Sequence, residues 1–115
     1  MDIEPLAREL RRFADERDWN QFHTPKNLAT AISIEASELL ELFQWTRGSG
    51  SWDELDEPKL RARVQEEIAD VILYLIRFAD LAGIDLQQVA WAKLNRNAEK
   101  YPASKFRGSD RKYNE

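Results

Sequence analysis

Helix breakers are sparse in this chain, and those present fall where a helix would begin or end or in the stretches outside the helices. There are four glycines and four prolines in 115 residues. Pro5 suits a first helical turn, where its missing N–H costs nothing. Thr24 followed by Pro25 forms an N-cap and N1 pair. Asp56 or Glu57 leads into Pro58, Gly83 suits the position just past a helix end, Asp85 can cap the next segment, and Pro102 stops it. Between these marks apolar residues recur at helical intervals, as Leu6, Leu10 and Phe13 do in the first segment. The pattern predicts helices over about 3–17, 25–45 (or 47), 58–82 and 85–100. The stretches "RDWNQFHTP" and "RGSGSWDELDEP" read as a turn and a loop. No strand-like alternation competes. The expectation is one all-α domain of helical hairpins over residues 1–102, then a polar tail, 103–115, extended or disordered, with Phe106 and Tyr113 as its anchors.

Composition removes several kinds of chemistry. The chain has no cysteine, which excludes disulfides, thiol catalysis and cysteine-held zinc. A single histidine, His23, excludes multi-histidine metal sites and the HExxH motif. The net charge of −4 argues against a duplex-DNA binder, which would show a basic face. No apolar run approaches the roughly 18 residues of a membrane span, and "MDIEPLAREL" lacks a signal-peptide pattern. The expectation is a soluble, cytoplasmic protein.

The second segment contains an anomaly. In "IEASELLELFQW", residues 34–45, Glu35 lies within the apolar arc. At roughly 100° per residue it is flanked by Leu39, Ile32 and Phe43 on one side and by Leu42 and Ala31 on the other. Glu38 falls between Ala31 and Trp45. The third segment repeats the arrangement: Glu67 shares its face with Leu60, Val71, Tyr74 and Phe78, and Asp70 lies just beside it. The run "VILYLI", residues 71–76, is apolar almost all round, and such a helix seeks burial on several sides. A second subunit would supply it.

Two helices thus offer acids at i and i+3 on core-facing sides. Buried like charges are costly unless protonated, paired with bases or bound to a cation. Oxygen-only ligands favour a hard ion, Mg²⁺ or Mn²⁺, and Mg²⁺ shares its shell readily with phosphate oxygens. From the pattern alone a metal site and a buried Arg–Glu network stand level. A di-iron bundle would want Glu-x-x-His on its helices, and no histidine is available there.

These residues carry a resemblance. "EASE" (Glu35–Glu38), then 28 residues, then "EIAD" (Glu67–Asp70) resembles the ExxE…ExxD signature of the all-α MazG-like nucleotide pyrophosphohydrolases. "ERDWNQFHTPKNL", "ELLELFQW", "EEIADVILYLI" and "KLNRNAEKYP" extend the likeness toward the dCTP pyrophosphatase branch, over about residues 6–102. The resemblance implies a four-helix MazG-like bundle completed by oligomerisation, usually as a dimer of dimers, with substrate sites where subunits meet. It implies hydrolysis of a (deoxy)nucleoside triphosphate, dCTP or a related pyrimidine dNTP, to monophosphate and pyrophosphate, as in nucleotide-pool sanitation. Glu35, Glu38, Glu67 and Asp70 would hold Mg²⁺, with Glu38 or Glu35 also the candidate general base.

By the same resemblance Trp19 and Trp45 line the base pocket, and Lys93, Asn97 and Lys100, on one face of the fourth helix, meet the triphosphate. Tyr74, one turn beyond Asp70, could reach sugar or phosphate, and Asn27 the base or sugar. The branch often carries a polar residue in the first helix near the base, where this chain has Leu10. A competing reading is a non-catalytic helical oligomer that binds nucleotides or a protein partner and ties its acids into salt bridges.

Overall fold

A computed structural model describes residues 2–46 and 52–111. Its regular elements are all helical among the described residues: α1 (Glu4–Glu16), α2 (Pro25–Glu41), α3 (Pro58–Ala82), α4 (Leu86–Lys100) and α5 (Ala103–Phe106), with short 3₁₀ turns at Asn20–Phe22 and Trp52–Asp56. The chain divides into two compact units, Met1–Ala82 and Gly83–Glu115.

In the first unit α3 is the common partner: both α1 and α2 pack on it, α2 most extensively. Ala7 and Ala14 of α1 are buried, as are Leu28 of α2 and Val64, Ile76 and Ala79 of α3. The alanines are short side chains at a close-packed seam. Ile76, at 1% exposure, is the largest apolar side chain fully removed from water, which is worth about 1.5–3 kcal/mol. A bidentate ion pair fastens α1 to α3: Arg11 donates from Nε to Asp80 Oδ2 at 2.7 Å and from Nη2 to Oδ1 at 2.8 Å. The hydrogen bonds from Arg11 hold the Asp80 carboxyl below its ordinary range.

The helix ends follow the expected chemistry. Thr24 Oγ1 accepts from the Asn27 N–H at 3.2 Å. Glu57 caps α3, its two oxygens accepting from the N–H groups of Lys59 and Leu60 at 3.0 and 2.8 Å. The helix predicted to reach 45 or 47 instead ends at Glu41. Beyond it Leu42, Phe43 and Gln44 bond three residues back rather than four, a tightening common where a helix runs out of partners.

The exit of α1 is a Schellman motif built without glycine. The Trp19 N–H reaches Ala14 O at 2.9 Å and the Asp18 N–H reaches Asp15 O at 3.2 Å. Asp18 takes the left-handed conformation, φ 54°, which Asp tolerates better than most residues. Gln21 Nε2 donates to the Asp18 carbonyl and carboxylate, both at 3.1 Å. The motif usually sets a hydrophobic contact across the helix end. Here it is Trp19 edge-on to Phe13, ring centroids 5.5 Å apart.

In the second unit Gly83 takes φ 69°, and Asp85 Oδ1 caps α4 through the Gln88 N–H at 3.1 Å. The tail expected to be extended or disordered instead opens with α5. Phe106 packs edge-on to Tyr101 at 5.0 Å, with the Arg111 guanidinium over its ring at 5.1 Å. Those contacts let a one-turn helix form in a polar segment. Phe106 is thus an anchor; Tyr113 lies outside the described residues. No described helix is long and apolar enough to cross a membrane.

Candidate metal centre and the adjoining cavity

The packing of α2 on α3 brings the acids of the two segments together. Carboxylate oxygens of Glu35, Glu38 and Glu67 lie within 4.8 Å of one another, and all three residues are half-buried. Glu35 Oε2 and Glu67 Oε2 are inaccessible to water, and no hydrogen-bond donor among the described residues reaches either. Burial, followed by the neighbouring carboxyls of Glu67 and Glu38 and the charge of Asp70, pushes the Glu35 carboxyl up to about 7. Orphaned buried acceptors of this kind require a proton or a cation. Their spread is close to that of the oxygen shell of one hard ion. The donor set is oxygen only, so the residues present fit Mg²⁺ or Mn²⁺ and offer nothing to a soft metal.

Asp70 stands apart from this trio. It is exposed and lines a cavity of about 670 Å³, while remaining near enough for its charge to raise the Glu35 carboxyl. Asp70 therefore marks the border between acid cluster and cavity. The cavity wall comes from α1, the turn after it and α3, and includes Leu10, Phe13, Trp19, His23 and Tyr74. Its volume suits an organic ligand of nucleotide size, and aromatic faces offer stacking surfaces to a base.

Asn27 and Trp45, of the same unit, are not among the residues of the cavity wall. Asn27 donates from Nδ2 to Phe22 O at 2.9 Å, so its amide braces the turn that carries the cavity wall. Trp45 is 89% exposed and does not line the cavity. Lys93, Asn97 and Lys100 all lie on α4, in the second unit, with Lys93 exposed and the other two half-buried.

The sequence reading missed a second polar cluster. Arg77, only 4% exposed, lines the same cavity. It donates from Nε to His23 Nδ1 at 3.0 Å and from Nη2 to Asn20 Oδ1 at 2.5 Å. The available signal was its spacing: Arg77 follows Asp70 by seven residues, two turns along the same helix face.

Known proteins resemble this chain over most of its length. Residues 30–115 match the MazG-like family. Mouse dCTP pyrophosphatase 1 is 43% identical over 114 residues, which span 96% of this chain and 67% of the mouse protein. The human dCTP pyrophosphatase 1 is 42% identical over 116 residues, 97% of this chain and 68% of its own. Among solved structures, a pyrophosphatase from Archaeoglobus fulgidus superposes with a TM-score of 0.80 at 48% identity, covering 87% of this chain and 92% of that one. The chain belongs to the MazG-like family, in the branch of the dCTP pyrophosphatase 1 proteins.

Proposed function

We propose that this protein hydrolyses deoxynucleoside triphosphates, dCTP or a related pyrimidine dNTP foremost, to the monophosphate and pyrophosphate in a Mg²⁺-dependent reaction that cleans or balances the nucleotide pool. One observation carries the reading: carboxylate oxygens with no donor converge beside an aromatic-walled cavity, and Asp70 borders both. The dCTP pyrophosphatase 1 relatives support the substrate class.

Glu35, Glu38 and Glu67, with Asp70 at the cavity edge, are the residues that would hold the ion. A bound Mg²⁺ supplies charge neutralisation on the phosphate oxygens and the leaving pyrophosphate. The protein's own part is positional and acid–base. The acid cluster fixes where the triphosphate lies relative to the cavity, and the cavity wall holds the base. Water attacks phosphorus at the α–β bridge, the P–O bond of that bridge breaks, and pyrophosphate leaves. The proton of the attacking water passes to a carboxylate of α2, Glu38 or Glu35. In this reading Trp19 and Trp45 stack the base, Tyr74 and Asn27 serve base, sugar or phosphate, and Lys93, Asn97 and Lys100 meet the triphosphate.

Assembly as a homo-oligomer, a dimer of dimers in the cytoplasm, belongs to the same proposal. Ile68, Leu75 and Leu81 of α3 are 36–51% exposed in the single chain, and another subunit would cover such apolar side chains. The deciding experiment incubates the protein with each dNTP and Mg²⁺, including 5-methyl-dCTP, and resolves the products. Monophosphate with pyrophosphate is expected. Diphosphate with orthophosphate, or no turnover and no thermal stabilisation by Mg²⁺ and nucleotide, refutes the proposal.

A further inference from the structure

Arg77 is a buried cation that directs its hydrogen bonds to neutral groups of the turn after α1, His23 Nδ1 and Asn20 Oδ1. Asn20 Nδ2 donates to Asp15 Oδ1 at 2.6 Å, which fixes that amide with its oxygen toward the guanidinium. Asp80, paired chiefly with Arg11, also feels the Arg77 charge. A guanidinium has only donors and does not lose its proton in proteins. Nδ1 of His23, as the acceptor, must therefore be bare, and a neutral imidazole with a bare Nδ1 carries its proton on Nε2. Burial, and then the nearby Arg77 charge, lower the His23 pKa from its ordinary value, so a second proton is disfavoured at neutral pH. The ring leans edge-on against Trp19, centroids 6.5 Å apart, and His23, Trp19 and Arg77 all line the cavity.

We infer that Arg77 is a positioning residue that locks His23 in the Nε2–H tautomer, and that His23 uses this single donor to select a pyrimidine whose N3 is a hydrogen-bond acceptor. The inference rests on the reading of the cavity as a nucleotide site. Every pyrimidine base presents the O2 acceptor, and cytosine alone adds an acceptor at N3. Uracil and thymine carry an N3–H donor at the corresponding edge. A freely tautomerising imidazole serves either base, accepting from N3–H through a bare nitrogen. A locked one meets N3–H donor to donor, leaving both groups unpaired in a partly desolvated site, and such mismatches discriminate more strongly than a missing methyl group. Preference among pyrimidines is then set by Arg77 acting through His23.

The chain has one histidine, so the imidazole ¹⁵N spectrum holds a single ring. In the metal-free protein at pH 7.5 we expect a protonated Nε2 and a bare Nδ1. Adding Mg²⁺ with non-hydrolysable α,β-imido-dCTP should shift Nε2. An Nδ1–H ring or an even mixture of tautomers overturns the inference. Calorimetry on the same sample separates its failure from that of the functional reading. Binding of the analogue with both ring nitrogens unmoved removes the role of His23 and leaves the nucleotide site standing; no binding removes both. Arg77→Met should yield mixed tautomers and an approximately tenfold fall in the ratio of kcat/KM for dCTP over dUTP. His23→Phe, which keeps a ring beside Trp19, should lower the ratio similarly, through KM more than kcat. An unchanged ratio in both variants overturns the inference.

Discussion

Two polar clusters share α3, centred ten residues apart on Glu67 and Arg77, and they differ in one respect. Around Glu67 the polar atoms face one another without a donor: Glu35 Oε2 and Glu67 Oε2 are orphaned. Around Arg77 the described hydrogen bonds close into a chain that runs from Asp15 through Asn20 and Arg77 to His23. A satisfied network rigidifies the fold, whereas an unsatisfied one stores a requirement for something the chain does not contain. The difference teaches where to look for a ligand. Both clusters are rich in charge, and only the first is incomplete.

The comparison can be broken most forcefully at Glu67. Glu67→Gln and Glu35→Gln should lower turnover of the preferred dNTP at least about a hundredfold, since even groups that merely support metal ligands cost 10–100-fold when removed. The same substitutions should leave the metal-free protein as stable as before or more so, because they remove like-charge repulsion from a buried site. A large fall in the midpoint of thermal unfolding would show that these acids are structural and that the contrast is false.

Arg77→Met tests the other half. It removes two charge-assisted hydrogen bonds whose acceptors water can partly reach, His23 being half-buried and Asn20 exposed, so each counts at the lower end of about 1.5–3 kcal/mol and the expected loss is about 3 kcal/mol by urea unfolding. A neutral outcome would mean that the Arg77 network does not stabilise the fold.

Next in size is the response to metal. Mg²⁺ at a hundred times its dissociation constant should stabilise the protein by about 2.7 kcal/mol, and this gain should vanish in Glu67→Gln while surviving Arg77→Met. Equal gains in all three proteins would place the ion elsewhere.

The smallest effect expected is on pH dependence, and its sign separates two carboxyls. Glu35 has a folded pKa of about 7 against an ordinary 4.5. Its contribution to the metal-free protein is therefore fully present below about 4.5 and is lost as pH rises through about 7. Asp80 is held below its ordinary 3.8 by Arg11, so its contribution is present above that value and is lost as pH falls through the lowered one. Thermal scans in a chelator between pH 5 and 8 should show stability declining in the native protein and much less in Glu35→Gln. Parallel curves would contradict the raised Glu35 carboxyl.

The fold was legible at its punctuation and on its core-facing arcs. Thr24, Glu57, Gly83 and Asp85 act at helix ends because capping is a short-range interaction between a side chain and the next turn, fully encoded in neighbouring residues. Glu35 and Glu67 were visible for a related reason: helical geometry places each residue on a known face, and a carboxylate on an apolar face stands out. The end of α2 was not legible, since whether a last turn continues or tightens depends on what packs against it. Nor was α5, whose one turn depends on the mutual contacts of Tyr101, Phe106 and Arg111.

The sequence by itself determined that two helices would each carry acids three residues apart, with Glu35 and Glu67 on apolar arcs, and that an aromatic turn would follow α1, because those are properties of periodicity and of local bonding. Only the tertiary structure decided that Glu35, Glu38 and Glu67 converge while Asp70 stands at the cavity edge, and that Arg77 reaches across 54 residues to His23. Such meetings depend on the distance between helices and the register in which they pack. Both are set by side-chain volumes summed over the whole contact, which no local stretch of sequence contains.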